Sequence, residues 1–209
     1  MNIAFIGIGN VGFALANNLE QKGHKIIIAN NNMNSKSVTK ALENNKEFIV
    51  MPVQKAVDNS DVVFLATPYH KNQEALAGIK FNGKTLVDCT NPVGIGITHL
   101  LKSEISGSEV VQQIANDSKV VKAFTIYGFE NFINPSFPSY NLKPVMLYCG
   151  NDINAKNETA MLIEQLGYFP KDTGALSQAL HLEHMTLLWV KMVRINGHHP
   201  NFVWGYLEK

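Results

Sequence analysis

Three glycines carry the first chemistry legible in this chain. Gly7, Gly9 and Gly12 follow the apolar run Ile3-Ala4-Phe5-Ile6, and a helical pattern with Val11, Ala14, Leu15 and Leu19 on one face follows them. Glycine at the first position allows a tight turn. At the second, the missing side chain lets a pyrophosphate reach the backbone. At the third, it lets the helix pack close to the strand. The unbonded N–H groups that open such a helix face the phosphates, aided by the helix dipole. Ile8, Asn10 and Val11 fill out the turn. Gly23 ends the helix, and Lys25–Ala29 reads as a second buried strand. The glycines therefore sit at the first turn of a βαβ unit, the context that gives their spacing its weight as a dinucleotide site.

The next chemistry expected of such a unit is reading the ribose. A free 2′-hydroxyl is usually met by Asp or Glu after the second strand. Here the run is Asn30-Asn31-Asn32-Met33-Asn34-Ser35-Lys36, without a carboxylate. Its amides, hydroxyl and ammonium suit a 2′-phosphate and point to NADP(H), although no arginine is present for a bidentate contact. The alternative is a solvated asparagine-rich turn. Two further strands, Val62–Ala66 and Lys84–Asp88, end in Thr67-Pro68-Tyr69-His70 and Cys89-Thr90-Asn91-Pro92. In an open parallel sheet, ligands lie beyond the carboxyl ends of the strands. Thr67, Pro68, Tyr69, Asn91 and Pro92 are therefore candidate cofactor contacts. Asn91 either offers its amide to the nicotinamide and its ribose or closes a local Asx turn.

These residues need an alternation of strands and helices to position them, and the rest of the chain supplies it. Helices are expected over Ser37–Asn44, over Asn72–Ile79 and over Ser108–Ile114, with a helical turn over Gln54–Asn59. Strands are expected at Phe48–Val50, Val120–Thr125, Val145–Gly150 and Tyr168–Asp172. The glycine- and serine-punctuated segment 94–108 reads as partly mobile, and 131–144, with three prolines, as a functional loop. A helix over Ala155–Leu166 precedes a last one over Leu176–Ile195, and Phe202–Leu207 form an aromatic tail. The pattern predicts an α/β fold: a three-layer, doubly wound, mainly parallel sheet of Rossmann type with a C-terminal α/β extension. One domain is expected over 1–209, with a nucleotide-binding core over 1–125 and an extension over 126–209.

At 209 residues, 45% hydrophobic and 17% charged, the chain suits one well-buried globular domain. A net charge of +1 gives no basic surface for nucleic acid or membrane. No apolar run approaches the roughly 20 residues of a membrane helix, and the N-terminus lacks a signal peptide's basic region. Cys89 and Cys149 read as reduced, buried thiols of a cytoplasmic protein. No triad or metal cluster is legible. His181 and His184 read as helix-face residues, His198 and His199 as a solvated pair. The last helix carries Leu180, Leu187, Leu188, Trp189, Met192 and Val193, more apolar surface than one face needs. With Phe202, Trp204 and Tyr206 it is expected to complete an acceptor pocket and a homodimer contact. The alternative is a tail that folds back over the core of a monomer.

Several motifs in one order carry a resemblance. They are Ile6-Gly7-Ile8-Gly9-Asn10-Val11-Gly12, Ile28-Ala29-Asn30, the stretch from Asp61 to Pro68, Asp88-Cys89-Thr90-Asn91-Pro92 and Val121-Lys122-Ala123-Phe124. Cys149-Gly150-Asn151-Asp152, the run from Asp172 to Gln178 and Leu187-Leu188-Trp189 continue it. In these the chain resembles the deazaflavin-dependent NADP oxidoreductases (coenzyme F-420-dependent NADP reductases) and the wider bacterial NADPH-dependent reductases. The cytoplasmic domain of the STEAP metalloreductases is related. The resemblance implies pyrophosphate binding by Gly7, Gly9 and Gly12 and 2′-phosphate binding by Asn30, Asn31 and Asn32, with Lys36 in place of the family's arginine. It implies hydride transfer between NADP(H) and a small-molecule electron acceptor, a flavin or coenzyme F-420, in a dimer closed by the C-terminal region. The rings' alignment carries that chemistry, and no catalytic side chain is singled out. Thr125-Ile126 departs from the family's usual Asn-Thr, which points to the alternative, a protein that binds or senses NADP(H) without catalysis.

Overall fold

Strands buried on both faces need near-continuous apolar runs, and β1 (Asn2–Ile6), β2 (Lys25–Ala29) and β4 (Val62–Leu65) have them. The computed structural model describes residues 1–137 and 141–209. With β3 (Ile49–Met51), β5 (Thr85–Asp88), β6 (Lys119–Lys122), β7 (Val145–Gly150) and β8 (Phe169–Asp172), these strands form one sheet ordered β3-β2-β1-β4-β5-β6-β7-β8. Pairing is parallel from β3 to β6. It turns antiparallel between β6 and β7 and is parallel again between β7 and β8. The strand order reverses between β1 and β4, which opens a crevice at their carboxyl ends. Register aligns those ends: Ala29 faces Ile6, Ile6 faces Leu65, Leu65 faces Asp88, and Asp88 faces Lys122.

Helices cover both faces, as the alternation of elements predicts. On one side α1 (Asn10–Gln21), α2 (Lys36–Asn44) and α7 (Ile153–Gln165) bury Leu15, Leu19, Val38, Ala41, Leu162 and Ile163 against Phe5, Ile28 and Phe64. On the other, α3 (Val53–Asp58), α4 (Asn72–Leu76) and α5 (Gly107–Ile114) bury Ala56, Val57, Leu76 and Val111 against Ile6, Leu65 and Leu86. The short α6 (Glu130–Ile133) lies by α1, where Phe132 O accepts from Asn18 Nδ2 at 2.6 Å. The last helix, α8 (Ala179–Arg194), buries Leu182, Trp189 and Val193 in the first layer. Among the described residues no helix is long and apolar enough to cross a membrane.

Several elements differ from the sequence expectation. The strand expected over 120–125 ends at Lys122, because Phe124 takes a left-handed φ of 56° and turns the chain. The helix expected over 72–79 is a 3-10 turn, Tyr69–Lys71, running into α4, which stops before Gly78 at φ 74°. The last helix is likewise preceded by a 3-10 turn, Leu176–Gln178. Segment 94–108 is a series of bonded turns: Gly94 N–H donates to Thr98 O at 2.8 Å and Leu100 N–H to Pro92 O at 2.7 Å. The loop expected over 131–144 opens with residues of α6, and its residues 138–140 lie outside the described ones. The aromatic tail runs back along its own chain, where Val145 N–H donates to Trp204 O at 2.9 Å and Phe202 stacks on Trp189.

Candidate functional site

The three glycines of the turn meet three different surroundings. Gly7 has φ 98°, and a Cβ there would lie 2.6 Å from the backbone of Ala66 and Thr67 at the end of β4. A Cβ on Gly12 would run into Gly7 O and sit 3.3 Å from Ala66 Cβ. A Cβ on Gly9 would meet nothing within 4 Å. Gly7 and Gly12 thus serve the packing of α1 against β1 and β4, whereas Gly9 leaves open space above the start of α1. Gly9 caps α1 without a side-chain bond, and its O accepts from Phe13 N at 2.8 Å. The N–H groups of Asn10, Val11 and Gly12 have no acceptor among the described residues. That open cradle of donors at a helix start fits a dinucleotide pyrophosphate.

The loop after β2 is organised by its own amides. Asn30 Nδ2 donates to Ser35 Oγ at 3.2 Å, and Asn30 Oδ1 accepts from Asn32 N–H at 2.8 Å. Asn31 Oδ1 accepts from Val53 N–H at 3.0 Å and so caps α3. Lys36 is exposed at the start of α2, and no ion pair engages it among the described residues. A cleft of about 470 Å³ runs from Ile8, Gly9 and Asn10 past Phe13 to Lys36 and Lys40. The glycine turn and the start of α2, with Lys36 and Ser37, therefore open onto one groove, whose lining does not include Asn30, Asn31 or Asn32. Thr67, Pro68, Tyr69, Asn91 and Pro92 lie beyond β4 and β5, on the other side of the turn.

Behind those strand ends lies a buried polar cluster. Asp88 and Lys122 are 0% exposed, Glu183 1% and His99 7%. Lys122 Nζ donates to Glu183 Oε1 at 2.9 Å and to Thr90 O at 2.6 Å, and lies 3.5 Å from Asp88 Oδ2. Asp88 also accepts from Thr90 N, Thr90 Oγ and Ser108 Oγ. Glu183 Oε2 accepts from Gly107 N at 3.1 Å and lies 2.8 Å from His99 Nε2. His99 Nδ1 accepts from Ser103 N–H at 3.1 Å, so the ring proton is on Nε2 and points at Glu183.

Because a carboxylate only accepts, one chain of hydrogen bonds has a fixed direction. Thr90 gives its proton to Asp88 and therefore accepts from Asn72 Nδ2 at 2.9 Å. Asn72 Oδ1 then accepts from Thr67 Oγ at 2.7 Å. The Thr67 hydroxyl proton is committed inward, and its oxygen is left to accept from a ligand in the crevice. The Asn91 amide lies 3.0 Å from Thr186 Oγ, on α8, which fixes its place at the crevice.

Charge and burial set the ionisation. Burial alone would favour neutral Lys122, but Asp88 and Glu183 outweigh it and raise the ammonium above its ordinary range. Burial, then Glu183 and Asp88, push the Tyr69 phenol up to about 12. Burial pushes the Cys149 thiol up to about 12 and the Cys89 thiol well above its usual value. Both thiols are buried and unbridged. No group of three or more His, Cys, Asp or Glu suited to a metal occurs among the described residues. His181, His198 and His199 are exposed, and exposed His184 stacks on His99 at 5.5 Å.

Sequence reasoning did not find His99, Glu183 or Ser108 as site residues. His99 comes from a loop, Glu183 from the last helix and Ser108 from α5. The available signal was one of type: a Glu amid the apolar positions of α8, two residues after exposed His181 and next to exposed His184.

Residues 2–92 match the family described as NADP oxidoreductase, coenzyme F420-dependent. Metalloreductase STEAP3 of Rattus norvegicus is 24% identical over 187 residues, 88% of this chain and 36% of that protein. Metalloreductase STEAP2 of Homo sapiens is 24% identical over 195 residues, 90% of this chain and again 36% of the relative. The chain thus spans about a third of the length of the curated relatives it matches. Among solved structures, a candidate F420-dependent NADP reductase from Arthrobacter sp. FB24 superposes with a TM-score of 0.82 at 24% identity, covering 100% of both chains. A reductive aminase from Aspergillus terreus in complex with NADPH superposes at 0.66 and 14% identity, over 92% of this chain and 61% of that one. Residues 2–92 thus match the NADP oxidoreductase family model, and the whole chain shares its fold with a candidate F420-dependent NADP reductase.

Proposed function

We propose that the protein is an NADP(H)-dependent oxidoreductase that passes hydride between the nicotinamide and a flavin- or deazaflavin-like small-molecule acceptor, working in the cytoplasm as a homodimer. The observation that carries the cofactor is the open space over Gly9 beside the unpaired N–H groups of α1, within the segment that matches the family. Bound there, the nicotinamide supplies the hydride chemistry. The chain's own residues bind and orient. Asn10, Val11 and Gly12 hold phosphate through their N–H groups, Lys36 attracts the 2′-phosphate, Thr67 Oγ accepts from the nicotinamide side, and Asn91 is steadied by Thr186. Lys36 at the start of α2, beside a loop without carboxylates, supports NADP over NAD. The flavin-like acceptor rests on the matched family's description, and the dimer on exposed Leu188 and Ile195 at the end of α8.

The test is NADPH oxidation with coenzyme F-420, FMN, FAD and ferric chelates as acceptors. Turnover with one of the flavin class is expected, and tight NADPH binding without any turnover refutes the enzyme. The same preparation should bind NADPH more tightly than NADH. In Lys36→Ala that advantage is expected to shrink by about threefold or more, since a hydrogen bond to a charged group contributes about 1.5–3 kcal/mol in favourable settings.

A further inference from the structure

The buried cluster behind the crevice is not electrically balanced. Asp88 takes four donor contacts, from Thr90 N, Thr90 Oγ, Ser108 Oγ and Lys122 Nζ. Glu183 takes three, from Lys122 Nζ, His99 Nε2 and Gly107 N. Both carboxyl groups are surrounded by donors, which is the setting of ionised carboxylates. Against them stands one ammonium, Lys122. His99 contributes no charge, because Ser103 N–H occupies its Nδ1. The neighbouring Cys89 and Cys149 thiols are held protonated by burial. Among the described residues no other cation pairs with either carboxylate. Two negative charges and one positive leave a surplus of one negative charge where water is excluded.

An unmatched buried charge is unfavourable unless something nearby completes it. The cluster abuts the crevice in three places. A Cβ on Gly107 would meet Tyr69, Pro92 and Glu183 together, within 3.2 Å. Thr67 is the outer end of the hydrogen-bond chain that begins at Asp88. Thr186, next but two to Glu183 on α8, holds Asn91. Across such short, dry paths a charge acts more strongly than in water. The upward push that Glu183 and Asp88 give the Tyr69 phenol is the same field at the crevice edge. Of the two states of a nicotinamide ring, the oxidised one is cationic and the reduced one neutral.

We propose that the surplus negative charge of the Asp88–Lys122–Glu183 cluster makes the crevice bind the oxidised, cationic nicotinamide more tightly than the reduced, neutral one, which biases the protein toward hydride donation. This rests on the oxidoreductase reading. In the favoured direction a hydride, one proton with two electrons, would pass to the electron-poor ring of the acceptor, and the field of Asp88 and Glu183 would favour the positive charge left on the nicotinamide. Asp88 and Glu183 act through the field and touch neither ring.

The experiment is calorimetric titration of the full chain with NADP+ and with NADPH, separately. Everything outside the nicotinamide ring is common to both, so the ratio of the two dissociation constants isolates the ring's charge. Wild type is expected to bind NADP+ more tightly. Asp88→Asn keeps the acceptor for Thr90 and lets Ser108 turn to accept, so it removes a charge with little change in shape. In it the ratio should shift toward NADPH by about threefold or more. Lys36→Ala should weaken both nucleotides and leave the ratio in place. An unchanged ratio in folded Asp88→Asn overturns the proposal. Should that variant melt, wild type decides, and tighter NADPH than NADP+ there is equally fatal. If neither nucleotide binds wild type, it is the functional reading that fails, and this proposal with it.

Discussion

Gly9 and Gly12 have opposite roles within one turn. At Gly12 a side chain would collide with Gly7 O, so the residue serves the fold. At Gly9 the space is open, so only a ligand has use for the missing Cβ. Gly9→Ala is therefore expected to keep stability within about 1 kcal/mol, because a poorer helix cap is offset by a less flexible unfolded chain. Its NADPH affinity should drop by about tenfold or more. Gly12→Ala should lose about 1–3 kcal/mol of stability, the usual range for an overpacked contact. Urea unfolding and nucleotide titration of both variants check this, and equal losses of stability would contradict it. The turn was legible in the sequence because its demands fall on consecutive backbone positions. The charged cluster was not, since Glu183 lies 61 residues from Lys122 and 84 from His99, and only the packed fold brings them together. Asn31 shows a different limit. Its Oδ1 accepts from Val53 N–H, a partner that spacing alone does not reveal, while its Nδ2 has no acceptor among the described residues.

Strands β5, β6 and β7 place Asp88, Lys122 and Cys149 side by side, Asp88 opposite Lys122 and Lys122 opposite Cys149. This row of titratable groups in the core of the sheet has a consequence at alkaline pH. Burial lifts the Cys149 thiol from 9.0 to about 12 and, with Glu183 and Asp88, the Tyr69 phenol from 10.0 to about 12. Lys122 is raised from 10.5 by its carboxylate partners, against the effect of burial. In each case the folded state holds its proton more tightly than the unfolded state. The stability this provides is whole below the unfolded values and is lost as pH rises through the folded ones. Unfolding free energy is thus expected to decline from about pH 9 and most steeply between about pH 10 and 12, and Cys149→Ala should flatten the first part of that decline. Urea melts from pH 7 to 12 measure it, and a curve level to pH 11 would refute it. Most of these elements were readable from apolar runs bounded by turns. Their ends were not. β6 stops early because Phe124 is left-handed, and α5 starts one residue before its expected Ser108 because Ser106 and Glu109 form a capping box.

Across the whole molecule, the sheet separates the crevice at β1, β4 and β5 from the far edge at β7 and β8, and the C-terminal tail belongs to that far edge. Trp204 bonds β7 through Val145 N–H and Tyr127 through its own N–H at 3.1 Å. Phe202 stacks on Trp189 at 6.0 Å, Tyr206 on Phe169 at 6.4 Å, and Lys171 sits 4.2 Å over the Tyr206 ring. The apolar surplus that the sequence shows on the last helix is thus partly met from within the chain, by the tail. Sequence left that open, since an aromatic tail meets its own core and a partner's surface with the same residues. Removing residues 197–209 strips cover from Trp189, Tyr127 and the β7 backbone. With two half-buried aromatic rings lost, and about 1.5–3 kcal/mol for a fully buried one, a fall in Tm of about 5–10 °C is expected. NADPH affinity should stay within about twofold of the intact protein, because the glycine turn, Lys36 and Thr67 lie strands away from β7. Calorimetric melts, nucleotide titration and solution mass of the truncated chain test this together. Loss of NADPH binding with the melt unchanged would show that the tail serves the crevice after all. A fall in mass with binding retained would assign the tail to the proposed dimer contact in addition to its own core. An unchanged mass would leave that contact to the exposed end of α8, where Leu188 and Ile195 remain uncovered.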